Sequence, residues 1–267
     1  MAGALTLRSP MPRTTPSAAP RTLIIMPAWN EEKAIGATIR ELREVVPDYD
    51  LLVVNDGSRD RTSHIAAQAG ALVLDLPYNL GVGGAMRAGY KFAQRFGYER
   101  AIQVDADGQH DPRDIEAVLG GLEHSNISIG ARFAQTGTYT VRGPRRWAMV
   151  MLAGIVGRLS RTRLTDVTSG FRAADATAID QYCLHYPAEY LGDTIDSLVI
   201  AVRSGLTVSQ VGVSMRPRQA GTPSNNPWKA AIYLVRSMFA LFISLTRRPI
   251  DRARRQVIPA SAQTEES

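Results

Sequence analysis

The sequence reads as an α/β protein with a mostly parallel central sheet. Three observations carry this reading. Short continuous apolar runs recur along the chain, helical patterns separate them, and polar residues stand where the runs end. A strand covered on both faces reads as an unbroken apolar run rather than an alternating one. Strands alternating with helices in this way build parallel sheets with helices on either side.

The elements follow in order. Residues 23–26 form the first run, stopped at Pro27, and a helical pattern follows over 31–46. The second run, 51–54, ends on Asn55-Asp56-Gly57-Ser58. Residues 60–69 are helical, with Asp60 placed to cap them. A third strand is expected at 71–74, then a helix over 83–96 after a glycine turn, then a fourth strand at 101–104 ending on Asp105. Asp111 before Pro112 starts a helix over 111–122, and a strand at 127–130 completes the series.

The chain has 267 residues, which suits one large α/β domain with appendages. Residues 1–20, rich in Pro, Thr, Ser, Ala and Arg, are expected to be a disordered tail. Residues 21–225 form the domain, 226–255 a C-terminal amphipathic helix with a basic flank, and 256–267 a second disordered tail. The N-terminus lacks the apolar stretch of a signal peptide, and no uncharged apolar run reaches the ~18 residues of a spanning helix. Two apolar segments, 147–159 and 228–245, carry Arg-rich flanks. Such helices can lie in a membrane interface, or pack as core or dimer helices. Lys and Arg outnumber Asp and Glu by 31 to 25, a net charge of +6 that favours anionic partners. No nucleic-acid-binding motif accompanies the charge, so nucleic acid is not expected as a partner. The single cysteine, Cys183, excludes a disulfide framework, fits a cytoplasmic chain, and reads as a small core residue.

In parallel sheets, ligands bind beyond the carboxyl ends of the strands. Polar residues stand at four such ends here: Asn30 and Glu31, Asn55 and Asp56, Asp105 and Asp107, and Arg132. The strongest motif is Asp105-Ala106-Asp107-Gly108-Gln109-His110. Two carboxylates two residues apart on a loop can turn towards one cation, and Gln109 adds a neutral oxygen. A cation there offsets negative charge building on a departing diphosphate. Asp56 could accept from a nucleobase ring N–H or serve as a turn former, and Trp29 could lie against a base or pack in the core. The glycines of Asn79–Arg87 could admit phosphate to a helix N-terminus, although neither the dinucleotide fingerprint nor a Walker A lysine is present.

Together the motifs PAWNEE, VVNDGSRDRT, NLGVGGAMRAG, VDADGQHDP, GARF and TDVTSGFR resemble the inverting family 2 glycosyltransferases of GT-A fold. The likeness is nearest to the dolichol-phosphate mannosyltransferase and polyprenyl-phosphate sugar transferase branch, and covers residues 22–223. It implies a GT-A-type single domain that moves a sugar from a GDP- or UDP-sugar to a polyprenyl-phosphate acceptor. It implies that Pro27, Trp29, Glu31, Val54 and Asp56 hold the nucleoside, that Asp105 and Ala106 lie on the donor side, and that Arg132 and Arg218 contact donor phosphates or acceptor. Asp105, Asp107 and Gln109 would bind Mg²⁺ or Mn²⁺, with Asp107 also catalytic. The branch often carries a lysine shortly after the arginine in a segment such as MRPRQAGTPS, where this chain has Pro223 and Ser224. Family 2 enzymes that glycosylate hydroxyls place a carboxylate base near the start of a late helix. Asp193 is the candidate for that role here, and helix-terminal acids favoured by the macrodipole are the other explanation of it. Two further readings stand beside the preferred one: transfer to a hydroxyl with Asp193 as base, and a non-catalytic nucleotide-binding partner protein. The implied location is cytoplasmic, peripheral at the inner face of the cell membrane, against lipid or a membrane partner protein.

Overall fold

The structure, a computed structural model, describes residues 6–7, 20–131, 144–187 and 193–216. The chain begins with strand β1 (Thr6–Leu7), β2 (Thr22–Ala28), helix α1 (Ile35–Val45), β3 (Asp50–Asn55) and α2 (Thr62–Gln68). It continues through β4 (Leu72–Asp75), α3 (Gly81–Arg95), β5 (Arg100–Gln103), α4 (Ile115–Gly120) and β6 (Ile127–Ala131). The remaining elements are α5 (Pro144–Ser160), β7 (Arg172–Asp175), α6 (Ala176–His185), α7 (Asp193–Arg203) and β8 (Val208–Gly212).

Among the described residues the strands form one sheet in the order β1-β4-β3-β2-β5-β7-β6-β8. Strands β4, β3, β2 and β5 run parallel, as the apolar runs require. Strand β7 is antiparallel to both of its neighbours, β5 and β6, and β8 is parallel to β6. Side chains alternate across the pleat, so both faces of the sheet are core. Leu23, Ile25, Leu52 and Val54 belong to one apolar cluster, and Ile24, Met26, Val53 and Ile102 to the other. Each such side chain contributes roughly 1.5–3 kcal/mol relative to exposure.

The chain winds from β2 out to β4 and then returns to place β5 on the other side of β2. The carboxyl ends of β2 and β5 therefore flank a topological switch point, where crevices open in sheets of this kind. Because β7 is antiparallel, its leading residue Arg172 pairs with Gln103 at the carboxyl end of β5. The loop before β7 is thereby delivered to the same edge as the loop after β5.

Several bounds differ from the sequence reading. Helix α1 starts at Ile35, because Asn30 adopts a left-handed φ of 55° and the next residues turn around the Glu31 carbonyl. Asp60 lies outside the first turn of α2, whose cap position is Arg61, and instead accepts from Thr62 N–H and Glu32 N–H. The helix expected over 111–122 is broken into 3₁₀ turns, Pro112–Asp114 and Gly121–Glu123, flanking α4. Within the stretch read as a disordered tail, Thr6–Leu7 pairs with Leu74–Asp75. The segment 147–159 falls inside α5, where Ala153 and Val156 are buried in the core while Met151 and Leu159 are exposed. The segment 228–245 lies outside the described residues. Among the described residues no helix is long and apolar enough to cross a membrane.

Candidate active site

Loops meet at the carboxyl edge of the sheet, and hydrogen bonds fasten those after β2, β3 and β4 to one another. The loop after β2 is tied to the loop after β3. Asn30 N–H donates to Ser58 Oγ (2.9 Å), Arg59 N–H donates to Asn30 Oδ1 (2.9 Å), and Glu31 N–H donates to Thr62 Oγ1 (2.8 Å). The loop after β3 is tied in turn to β4, since Asn55 Nδ2 donates to Asp75 Oδ1 at 2.7 Å. Gly57 holds a φ of 67°, and a Cβ there would stand 2.7 Å from the backbone nitrogen of Asn79. Only glycine lets these backbones approach so closely.

Beside this edge lies a cleft of about 980 Å³, lined by Trp29, Asn30, Asn55, Arg59, Arg61, Asp75, Tyr78 and Asn79 among others. Trp29 is 50% exposed and Tyr78 65%, so both rings face solvent at its rim and Trp29 is not a core aromatic. Pro27 and Glu31 are partly buried and bound the same loop, whereas the Val54 side chain is fully buried in the core.

Asp56 is 3% exposed, and its Oδ1 accepts from Leu80 N–H at 2.7 Å. Burial raises its carboxyl pKa, and the backbone N–H groups of Leu80 and Gly81 pull it back down. The N-terminus of α3 is thus occupied by a carboxylate of the chain itself, a favourable match to the helix dipole. Of the glycines read as a phosphate approach, Gly81 opens α3 with a left-handed φ of 79°. Gly84 lies within α3 against Leu80, and Gly89 lies against Ile25 of β2.

Asp105, Ala106, Asp107 and Gln109 occupy the tight turn after β5. Gly108 supplies its left-handed residue, with φ 73°. Asp107 is buried, and its Oδ1 accepts from Gln109 N–H at 3.0 Å. The Ala106 carbonyl accepts from Thr38 Oγ1 of α1 at 3.1 Å. The Asp105 side chain keeps 41% exposure, and its Oδ1 accepts from Gln103 Nε2 at 3.1 Å. Gly170, from the loop before β7, faces this carboxylate; a Cβ there would come within 3.4 Å of Asp105 Oδ2. The Asp105 carboxylate therefore keeps an open side. Hard oxygens with room for water suit Mg²⁺ or Mn²⁺, which complete their shells from water and phosphate. Among the described residues, no group of three or more His, Cys, Asp or Glu side chains is gathered as a metal cluster.

Three buried side chains support this turn in ways that the sequence did not show. His110 Nδ1 accepts from Asp105 N–H at 3.1 Å, which leaves the ring proton on Nε2, 3.7 Å from Asp105 Oδ2. Its ring stacks on Phe171 at 4.7 Å between centroids. The motif containing His110 was legible; its supporting role was not. Arg172, 4% exposed, donates to the carbonyls of Val167, Ser169 and Thr194 and to Ser197 Oγ. It pins the loop before β7 to the first turn of α7. Asp111 is paired with Arg113 and Arg216, which hold its carboxyl well below the usual carboxylate range. No local pattern marks Arg216. Asp193 is the first residue of α7, and its side chain lies outside the described set, as do Arg132 and Arg218.

Fold and site together define a sugar-transferring enzyme of the GT-A type. The glycosyl transferase family 2 model matches residues 23–183, and the chain belongs to that family. An undecaprenyl-phosphate mannosyltransferase of Micrococcus luteus is 31% identical over 211 residues, covering 75% of this chain and 86% of that one. A polyprenol monophosphomannose synthase of Mycolicibacterium smegmatis is 28% identical over 219 residues, covering 75% of this chain and 79% of its own length. Among solved structures, glucosyl-3-phosphoglycerate synthase from Mycobacterium tuberculosis in complex with Mn²⁺, UDP and phosphoglyceric acid superposes with a TM-score of 0.65. It shares 22% identity and covers 92% of this chain and 88% of that one, a likeness of fold.

Proposed function

We propose that this glycosyltransferase moves a hexose from a GDP- or UDP-sugar to a polyprenyl phosphate, with inversion at the anomeric carbon. The observation that carries the reading is the junction at the switch point. A turn bearing Asp105 and Asp107 ends β5, beside the loop that holds the half-exposed Trp29 after β2. The relatives named for undecaprenyl-phosphate and polyprenol monophosphate mannosyl transfer support the acceptor class. The UDP-bound structure supports a nucleotide donor.

In this reading Trp29, Pro27 and Glu31 bound the nucleoside, with Val54 and Asp56 behind them, and Ala106 lines the donor side. Asp105, Asp107 and Gln109 hold Mg²⁺ or Mn²⁺, which supplies counter-charge for the diphosphate. Gln103 and His110 keep the Asp105 carboxylate aimed, and the Gln109 peptide orients the Asp107 carboxylate. Arg132 and Arg218 neutralise phosphate. The acceptor brings its own nucleophile, since a phosphate monoester with a second pKa near ~6 is mostly ionised at neutral pH. No strong base is then required. The chain works at the inner membrane surface, where its net charge of +6 suits anionic headgroups.

Replacement of Asp193 tests the acceptor class. With a polyprenyl phosphate acceptor, Asp193→Asn is expected to cost about tenfold or less in kcat, below the ~10²–10⁴-fold worth of a positioned base. A thousandfold loss with donor affinity intact, measured by calorimetry on the nucleotide, would show that Asp193 deprotonates a hydroxyl, the runner-up reading.

A further inference from the structure

The segment leaving β8 is fastened along the turn that follows β5. Ser214 N–H donates to Asp114 Oδ2 at 2.8 Å, Met215 pairs with His110 as an antiparallel bridge, and Arg216 N–H donates to the Gln109 carbonyl at 3.0 Å. The Arg216 guanidinium then grips Asp111 with two prongs, Nη2 2.7 Å from Oδ1 and Nε 3.2 Å from Oδ2. Its Nη1 reaches Glu41 Oε1 of α1 at 2.5 Å. A planar fork fits a carboxylate in a way that an ammonium group cannot. The Arg216 side chain is only 26% exposed, so solvent screens these contacts incompletely. One side chain therefore joins α1, the turn after β5 and the exit of β8, across 105 residues of sequence from Asp111.

Gln109 is held from both sides. Its N–H donates to Asp107 Oδ1, and its carbonyl accepts from Arg216. Loss of the latch would free the peptide that orients the Asp107 carboxylate. We infer that Arg216 is a positioning residue for cation binding: by latching residues 214–216 onto the turn at 109–111, it holds Asp107 and Gln109 in their receptive arrangement. The inference rests on the reading that Asp105, Asp107 and Gln109 take the divalent cation.

The test is Mn²⁺ binding to the full chain in the presence of UDP or GDP, followed by electron paramagnetic resonance, with the melting temperature read beside it. Removing a group that orients metal ligands typically costs about 10–100-fold in metal affinity, and Arg216→Ala is expected to fall in that range. Arg216→Lys should lie between it and the wild type, because one contact survives and the fork does not. Glu41→Gln loosens the same latch from α1 and should weaken Mn²⁺ several-fold, which keeps the test open if Arg216→Ala does not fold. Arg113→Ala removes only a local, largely exposed partner of Asp111 and should stay within about twofold. If Arg216 merely stabilised the fold, its loss would lower the melting temperature and leave Mn²⁺ affinity unchanged. Wild-type affinity in both Arg216→Ala and Glu41→Gln, with binding lost in Asp107→Asn, overturns the latch. Absence of saturable Mn²⁺ binding in the wild type instead overturns the metal reading beneath it.

Discussion

Asp56 and Cys183 show how burial decides what a single side chain does. The Asp56 carboxylate accepts from Leu80 N–H at the start of α3, beside the cleft proposed to take the nucleoside. Asp56→Ala removes that acceptor, and leaving the buried N–H unpaired should cost about 1–3 kcal/mol of stability. Asp56→Asn keeps an acceptor for Leu80 and replaces the other oxygen with a donor. Its melting temperature should stay near wild type while nucleotide affinity falls; calorimetry on UDP and GDP together with thermal melts checks both halves. Unchanged nucleotide affinity in Asp56→Asn would leave Asp56 as a cap for α3 alone. Cys183 is buried against α3, and burial pushes its thiol up to about 12. The folded chain therefore holds a proton that the unfolded chain releases near pH ~8.5. The associated stability is present in full below that pH and is lost as pH rises towards the folded value. Cys183 should resist thiol reagents at pH 8 until denaturant is added, and Cys183→Ala should lose stability less steeply between about pH 8.5 and 11. Rapid labelling of the native protein at pH 8 would contradict its placement in the core.

At the scale of elements, the parallel strands were legible because burial on both faces forces unbroken apolar runs, as in β2 and β3. Strand β7 was not legible. It is Arg-Ala-Ala-Asp, and only its small, fully buried Ala173 and Ala174 report the sheet around it. Strand β8 was missed for a related reason: past Val208 its residues are only partly buried, so its pattern is weak. These two strands bring the Gly170 loop and Arg216 to the turn after β5, so part of the site could be found only through topology. Helix α3 supplies the sharpest test of packing. A Cβ on Gly89 would sit 2.4 Å from Ile25 Cγ2, so the helix lies on β2 with no room for a methyl group. Gly89→Ala should destabilise by about 1–3 kcal/mol, despite alanine's better helix propensity, because the overlap must be relieved by moving the helix or Ile25. A melting temperature at or above wild type would mean that α3 stands further from the sheet.

Across the whole molecule, the winding of the chain decides where chemistry can occur. The reversal at β2 and β5 sets the Trp29 loop beside the Asp105–Asp107 turn, and sequence order alone foretold that strand ends would carry the polar residues. What it could not foretell is the web behind them, in which Arg172, His110 and Arg216 draw on partners far away in sequence. The membrane-facing side of the reading rests on charge and on the relatives, with α5 contributing both buried and exposed apolar residues. The most direct measurement is product analysis by mass spectrometry. The purified full chain would be given a panel of GDP- and UDP-sugars, with and without a polyprenyl phosphate, in Mn²⁺ and in EDTA. The expected result is a polyprenyl-phosphate hexose formed from one donor, dependent on the lipid phosphate, lost in EDTA and restored by Mg²⁺ or Mn²⁺. Full turnover in EDTA, or transfer only to glycan hydroxyls with none to the lipid phosphate, would contradict it.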